Sequence, residues 1–352
     1  MSALPSTLFV AKARTGIAWY RCALPAMALG MDWVGLEGEP PNVAFATGLT
    51  RRQLTLDDFA SYECVVLQQP YSRAWHRFIH GLKAAGVTVL FEIDDYIHAV
   101  RKMRHHESGS LFTREVLRGA ELNMRAADGL ICSTPFLARR YGSFNQHVWV
   151  CRNGLDLKRY DLQPPPRGPL LTIGWAGGQG HVEAMRPWLP EIAAVMEQRP
   201  DTRFVSIGQP FASDLAPRFG AERCLSIPLG SLEAYPAAMT LFDVALAPSA
   251  HNNLFRGKSD LRWLEASAMR IPLIADPVVY PDIEHGVTGF HADSPAEARA
   301  CMLALIDDDA LRRRVGGAAH AHVVEHRRIE VAARQWAQVL VEAHAASQRA
   351  AA

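Results

Sequence analysis

The chain has 352 residues, 49% hydrophobic and 21% charged, with a formal charge of +1. That length has room for two domains of ordinary size, and the composition is that of a globular protein. Near-neutral charge excludes a polyanion binder or an acidic-tail protein taken as a whole, while leaving local patches open. Met1-Ser-Ala-Leu-Pro-Ser-Thr7 lacks a basic region followed by an apolar run, and no stretch is apolar for long enough to span a membrane. The six cysteines (22, 64, 132, 151, 224 and 301) are scattered, with no C-x-x-C pair, and most lie in apolar strand-like runs. Reduced, buried thiols in a cytoplasmic protein are the expectation.

In chain order, apolar runs at Leu8–Val10, Cys64–Leu67, Val87–Ile93, Leu130–Cys132 and His147–Val150 predict buried strands in the first half. In the second half the runs are Leu170–Trp175, Arg203–Ile207, Leu225–Ile227, Asp243–Leu246 and Leu273–Ala275. Continuous apolar strands are covered on both faces, and helical stretches between them make parallel β-α-β units. Two such sets predict an α/β protein with two Rossmann-like, doubly wound domains. Asp161-Leu-Gln-Pro-Pro-Pro-Arg-Gly-Pro169 can continue neither helix nor central strand. The expected division is therefore 1–160, a linker at 161–169, 170–326, and a terminal helix over 327–352.

Polar insertions between these elements carry the candidate chemistry. Thr15-Gly-Ile-Ala-Trp-Tyr-Arg21 follows the first strand, so Gly16, Tyr20 and Arg21 either meet a ligand or pack as loop and helix. Phe91-Glu-Ile-Asp-Asp-Tyr96 ends an apolar strand, and ligands gather at the carboxyl ends of parallel strands. Glu92, Asp94 and Asp95 can position hydroxyls, supply oxygens to Mg or Mn, or cap a helix. Arg101 and Arg104 belong to the run Arg101-Lys-Met-Arg-His-His106, either a solvated face or a holder of a lipid phosphate or nucleic-acid backbone. In Ile173-Gly-Trp-Ala-Gly-Gly-Gln-Gly-His181, Gly177 and Gly178 allow backbone N–H groups to face a diphosphate. His181 is a candidate there or an ordinary helix-terminus residue. The spacing is G-x-x-G-G-x-G, and the next strand ends at Ser206-Ile-Gly-Gln-Pro210 without an acid, which argues against a nicotinamide or flavin. His322-Val-Val-Glu-His326 matches a zinc pattern, but few residues remain to supply a third ligand, and chance explains it.

Asn253-Leu-Phe-Arg-Gly-Lys-Ser-Asp-Leu-Arg-Trp-Leu-Glu265 is the most informative stretch. It reads as a glycine turn at Gly257, a polar helix start at Lys258-Ser259-Asp260, a helix, and then Pro272 opening a strand. A helix N-terminus attracts phosphate, Lys258 (one of only five lysines) adds a point charge, and Ser259 can cap or bind an oxygen. Glu265 can accept hydrogen bonds from a ribose, or pair with Arg262 on the surface for a few tenths of a kcal/mol.

Lys258–Glu265 followed by Ala-Ser-Ala-Met-Arg-Ile-Pro272 resembles the donor helix of retaining glycosyltransferases of the GT-B fold, of the group 1 or family 4 kind. The Cys151-Arg-Asn-Gly-Leu-Asp156 hinge, the Gly-Gly-x-x-His loop, Phe242–Ser249 and His285–Phe290 add to the resemblance in order and spacing. The family pattern is Glu, seven residues, Glu; here the second is Glu265, and Gly257 stands in place of the first. The resemblance implies two domains facing a central cleft, with the terminal helix crossing back onto the first. It implies sugar transfer from a nucleotide-diphosphate sugar to an acceptor hydroxyl with retention, without a divalent metal. Lys258, Asp94, Glu92 and His181 are the catalytic candidates. Gly177, Gly178, Gly257, Lys258, Ser259, Asp260 and Glu265 would bind the donor, with the base near Ser226–Tyr235. Gly16, Tyr20, Arg21, Asp95, Arg101 and Arg104 would face the acceptor, which could be a glycan, lipid, protein or modified DNA. A sugar-nucleotide epimerase, a phosphorylase and a non-catalytic sugar-nucleotide binder share the architecture and remain alternatives.

Overall fold

The computed structural model describes residues 3–12, 16–37, 43–47, 50–100, 112–163 and 168–351, with backbone alone at 37, 43–47, 50–53 and 351. The chain divides into two compact units. Unit 1 comprises Met1–Leu155, Gly257–Ser259 and Ile329–Ala352; unit 2 comprises Asp156–Arg256 and Asp260–Arg328. The division falls ahead of the Pro-rich stretch read as the linker. Tyr160 is the physical reason: it is buried, with its hydroxyl turned to Glu265 of unit 2, and Arg159 donates to Leu232 O at 2.8 Å.

Unit 1 is built on eight strands: β1 (Thr7–Ala11), β2 (Asp32–Glu37), β3 (Val43–Thr47), β4 (Thr50–Leu54), β5 (Cys64–Gln68), β6 (Thr88–Ile93), β7 (Gly129–Cys132) and β8 (Val148–Val150). Their order in the sheet is β4-β3-β2-β1-β5-β6-β7-β8. Pairing is parallel from β2 through β8, and antiparallel only at β2–β3 and β3–β4. Alternation along β5 explains its uninterrupted apolar sequence. Val65 and Leu67 enter one core with Leu8, Val10 and Val89, while Cys64 and Val66 enter another with Phe9, Ala11 and Leu90. The second core is closed by the C-terminal helix Ile329–Ala351. Its Trp336, Val339, Leu340 and Ala343 recur at helical spacing and pack on Phe9, Ala11, Ala18 and Cys22.

Unit 2 holds β9 (Leu171–Gly177), β10 (Thr202–Gly208), β11 (Cys224–Ile227), β12 (Val244–Ala247), β13 (Leu273–Ala275) and β14 (Phe290–His291). Their order is β11-β10-β9-β12-β13-β14, with every neighbouring pair parallel. Each unit is thus a doubly wound α/β layer. Strand order reverses between β1 and β5 in unit 1 and between β9 and β12 in unit 2, the positions where such sheets open a crevice at their carboxyl ends. All six cysteines are buried and unbridged. Among the described residues no helix is long and apolar enough to cross a membrane.

Candidate active site

The carboxyl end of the unit 1 sheet is organised around a buried ion pair. After β1 the chain passes through Gly16–Ala18 into a π-helical turn, Trp19–Ala23, which turns Arg21 inward. Arg21 and Glu92 are at most 1% exposed, and Arg21 Nε donates to Glu92 Oε1 at 2.6 Å. Arg21 Nη1 also donates to Cys151 O at 2.6 Å and to Asn153 Oδ1 at 2.9 Å. Burial pushes the Glu92 carboxyl up, and Arg21 offsets this only in part. Glu92, read as a catalytic candidate, and Arg21, read as acceptor-facing, thus lie together under the surface as a framework. Tyr20 is likewise buried.

Asp94 and Asp95 lie just beyond β6 and are half-buried. Gln69 Nε2 donates to Asp94 Oδ1 at 2.5 Å, and Lys258 Nζ donates to Asp95 Oδ1 at 2.8 Å. Burial and the neighbouring Asp95 and Glu92 carboxylates push Asp94 up to about 7, against the pull of Arg21 and Lys258. The three acids turn to three different partners. No group of three or more His, Cys, Asp or Glu side chains suited to a metal ion occurs among the described residues.

The segment Gly257–Ser259 departs from the turn-and-helix-start reading. Gly257 ends a short helix, Asn253–Gly257, capped by Asn252, and the next helix begins only at Leu261. The intervening side chains are held elsewhere: Lys258 by Asp95, and Ser259 by Asn153, whose Nδ2 donates to Ser259 Oγ at 2.9 Å. A Cβ on Gly257 would lie 3.1 Å from both Leu137 Cδ2 and Tyr96 Cβ. Tight space, not turn geometry, is what glycine answers to here. Asp260 is 5% exposed and forked by Arg327 at 2.5 and 2.9 Å, so its carboxylate secures the helix start.

In unit 2, Gly177 closes β9 at the switch point, paired with Gly208 at the end of β10. A Cβ at Gly177 would meet Arg262 Nη2 at 2.4 Å and Trp175 Cζ2 at 2.7 Å; at Gly178 nothing among the described residues lies within 4 Å. Two adjacent glycines therefore have different reasons. The first makes room for Arg262, whose guanidinium lies over the Trp175 ring at 5.6 Å, and the second leaves bare backbone facing open space. His181 ends the following turn, Gln179–His181, edge-on to Phe255 at 5.5 Å. Glu265, on the helix Leu261–Ala268, is 5% exposed, which rules out the surface ion pair. Its Oε2 accepts from Tyr235 Oη at 3.2 Å and its Oε1 from Tyr160 Oη at 3.5 Å. Tyr235, the last residue of the Ser226–Tyr235 stretch expected near the base, lies in the first turn of the helix Ala234–Met239, and burial with the Glu265 charge raises its phenol well above the usual value.

No protein-family model matches the chain, and no curated protein matches it in sequence. Solved structures do match. HepE of Anabaena, in complex with UDP-glucose, superposes with a TM-score of 0.70 at 14% identity, over 96% of this chain and 100% of that one. The sucrose-phosphate synthase of Thermosynechococcus elongatus gives 0.69 at 15% identity, over 97% and 100%. A glycosyltransferase from Rickettsia africae gives 0.62 at 12% identity, over 96% and 98%. The chain has the GT-B fold.

Within this GT-B chain, the structure gathers Arg21, Glu92, Asp94, Asp95, Lys258 and Ser259 in unit 1, and Gly177, Gly178, His181, Asp260 and Glu265 in unit 2. Arg101 and Arg104 lie outside the described residues. Sequence reasoning missed Gln69 and a pair at the carboxyl ends of β12 and β13, where His251 Nε2 meets buried Asp276 Oδ2 at 2.9 Å. Asp276 follows the predicted strand Leu273–Ala275, and that position was its only signal. Gln69 carried none, since it matters through a partner distant in the chain; Tyr235 was named only as the end of the stretch near the base, without its bond to Glu265.

Proposed function

We propose that the chain is a glycosyltransferase that moves a sugar from a nucleotide-diphosphate donor to an acceptor hydroxyl with retention of configuration. The carrying observation is the arrangement in unit 2: bare glycine backbone at Gly178 on the switch point, with the carboxylate of Glu265 held by two tyrosine hydroxyls. HepE's complex with UDP-glucose supports a uridine diphosphate hexose as the first donor to test.

In this reading Glu265 receives the ribose hydroxyls, a carboxylate being an acceptor with several lone-pair sites. Amides at Gly177–Gly178 stabilise charge on the departing diphosphate, the electrostatic contribution that usually dominates, and Lys258 and Ser259 remain candidates for the same chemistry on unit 1. The bond from the anomeric carbon to the phosphate oxygen breaks, the bond to the acceptor oxygen forms, and the acceptor's proton passes to the leaving phosphate. Asp94 and Asp95 orient the acceptor hydroxyl, and His181 stands beside the donor. The reading calls for no divalent metal. Six unbridged cysteines support a reducing, cytoplasmic setting.

A thermal-shift titration with nucleoside diphosphates and their sugar conjugates tests this, followed by transfer assays on a panel of acceptors. A donor at about a hundred times its Kd adds roughly 2.7 kcal/mol to native stability. Lys258→Ala is expected to lower turnover by about a hundredfold or more. If no nucleotide raises the melting temperature, the reading fails.

A further inference from the structure

We propose that Gln69 is a positioning residue that fixes the Asp94 carboxylate to receive the acceptor hydroxyl, an inference that rests on the glycosyl-transfer reading. Gln69 has a φ of +51°, one of two non-glycine residues in the left-handed region among those described. Its backbone is doubly unfavourable. Glutamine rarely adopts positive φ, and the residue before a proline, here Pro70, is pushed toward extended conformations. Such a conformation persists only where the surroundings over-determine it.

The surroundings do so from both sides. Gln69 N donates to Glu92 O at 2.9 Å, which locks the residue to the end of β6. Buried Asn123 donates to Pro70 O at 2.6 Å and to Ser72 O at 2.8 Å, which pins the chain just beyond. The helix Arg114–Ala126 approaches that turn so closely that a Cβ on Gly119 would lie 2.3 Å from Tyr71 O. A buried asparagine and a glycine contact thus hold one strained residue at the β1/β5 switch point. The conformation delivers the Gln69 amide to Asp94 Oδ1 at 2.5 Å. With that oxygen engaged, Asp94 presents a defined second oxygen, which a freely rotating carboxylate would not.

The charged and titratable groups facing Asp94 are Glu92 and Asp95 from the end of β6, Arg21 and Cys22 from the π-helical turn, Lys258, and Tyr71 beyond β5. The Gln69 amide is the neutral donor among them. Removing it withdraws a hydrogen bond that favours the ionised carboxylate, so Asp94 should hold its proton to higher pH.

The test is Gln69→Gly, with Gln69→Asn as a second variant whose amide is one methylene short. Asp94 is titrated by carbon-13 NMR of aspartate-labelled protein, its signal identified by loss in Asp94→Asn. Glycine relieves the backbone, so the melting temperature should hold or rise. The Asp94 titration should move upward by about one pH unit, since a hydrogen bond to a charged group is of that size. For transfer, kcat/KM toward the acceptor should fall about tenfold with donor KM unchanged, and its acid limb should move with the titration. A lower melting temperature with an unmoved titration would make Gln69 a packing residue and overturn the proposal. An unmoved titration with wild-type transfer intact strikes Gln69 alone. A moved titration in a protein that transfers to no acceptor strikes the hydroxyl-receiving role together with the glycosyltransferase reading.

Discussion

Replacing Arg21 by methionine removes the cation from the unit 1 framework while keeping much of its volume. Arg21 and Glu92 are almost wholly buried and in contact at 2.6 Å, so the variant leaves a carboxylate without its partner in a dry interior. Breaking a buried pair in this way costs about 3–5 kcal/mol. Cys151 O and Asn153 Oδ1 also lose their donor, adding about 1–3 kcal/mol each where nothing replaces it. Against a total stability of roughly 5–15 kcal/mol, that is a large share. Protonation of Glu92 relieves part of it. The Glu92 carboxyl already stands above its ordinary value, and losing Arg21 drives it higher. A carboxyl whose folded pKa exceeds its unfolded one contributes stability below the unfolded value and loses it as pH rises through the folded one. Arg21→Met should therefore be more destabilising at pH 8 than at pH 5, and Arg21→Met/Glu92→Leu should regain about 2 kcal/mol or more at pH 8. Native-state hydrogen exchange of the β6 and β8 amides, read by mass spectrometry, reports unit 1 by itself. Equal losses at both pH values, or a double variant additive within about 0.5 kcal/mol, would refute the reasoning.

Three further outcomes follow from unit 2. Gly208 has a φ of +95°, and a Cβ there would lie 2.3 Å from Gly177 O, so Gly208→Ala should cost about 2 kcal/mol or more in thermal unfolding. Gly178→Ala, with open space around it, should change stability by less than about 0.5 kcal/mol yet weaken donor binding by calorimetry; unaltered binding would remove that amide from the diphosphate site. Tyr235→Phe withdraws one donor from Glu265 and should weaken donor affinity about tenfold, a loss that a 2′,3′-dideoxy donor should not show. Equal losses for both donors would detach Glu265 from the ribose.

What could be read ahead of the structure depended on how local its cause is. A strand covered on both faces is written as an apolar run, so the strands that carry the centre of each sheet were legible. Asp32–Glu37 mixes charge, glycine and apolar residues, and the short apolar run of β3 (Val43–Thr47) pairs with a polar β4 (Thr50–Leu54), so the edge of the unit 1 sheet was not read. The glycine loop at Gly177–Gly178 was legible because backbone access to a ligand is a local property. The partners of the polar residues were not local: Glu92 is 71 positions from Arg21, Ser259 is 106 from Asn153, and Lys258 is 163 from Asp95. No window of propensity or periodicity contains both members of any of these pairs.

Gly257 shows how such a long-range cause disguises itself as a local one. A glycine before Lys-Ser-Asp reads as a turn, yet it is helical, and its bare Cα answers to Tyr96 and Leu137. The resembled pattern has a glutamate at this position, whose Cβ alone would press on both neighbours at 3.1 Å. Tyr96 stands directly after Asp95, and Asp95 holds the ammonium of Lys258, the residue directly after Gly257. Crowding at one position and charge pairing at the next therefore arise from a single apposition of two short segments. The missing glutamate and the lysine beside it are one feature, and a substitution restoring the first would be expected to disturb the Asp95–Lys258 pair as well.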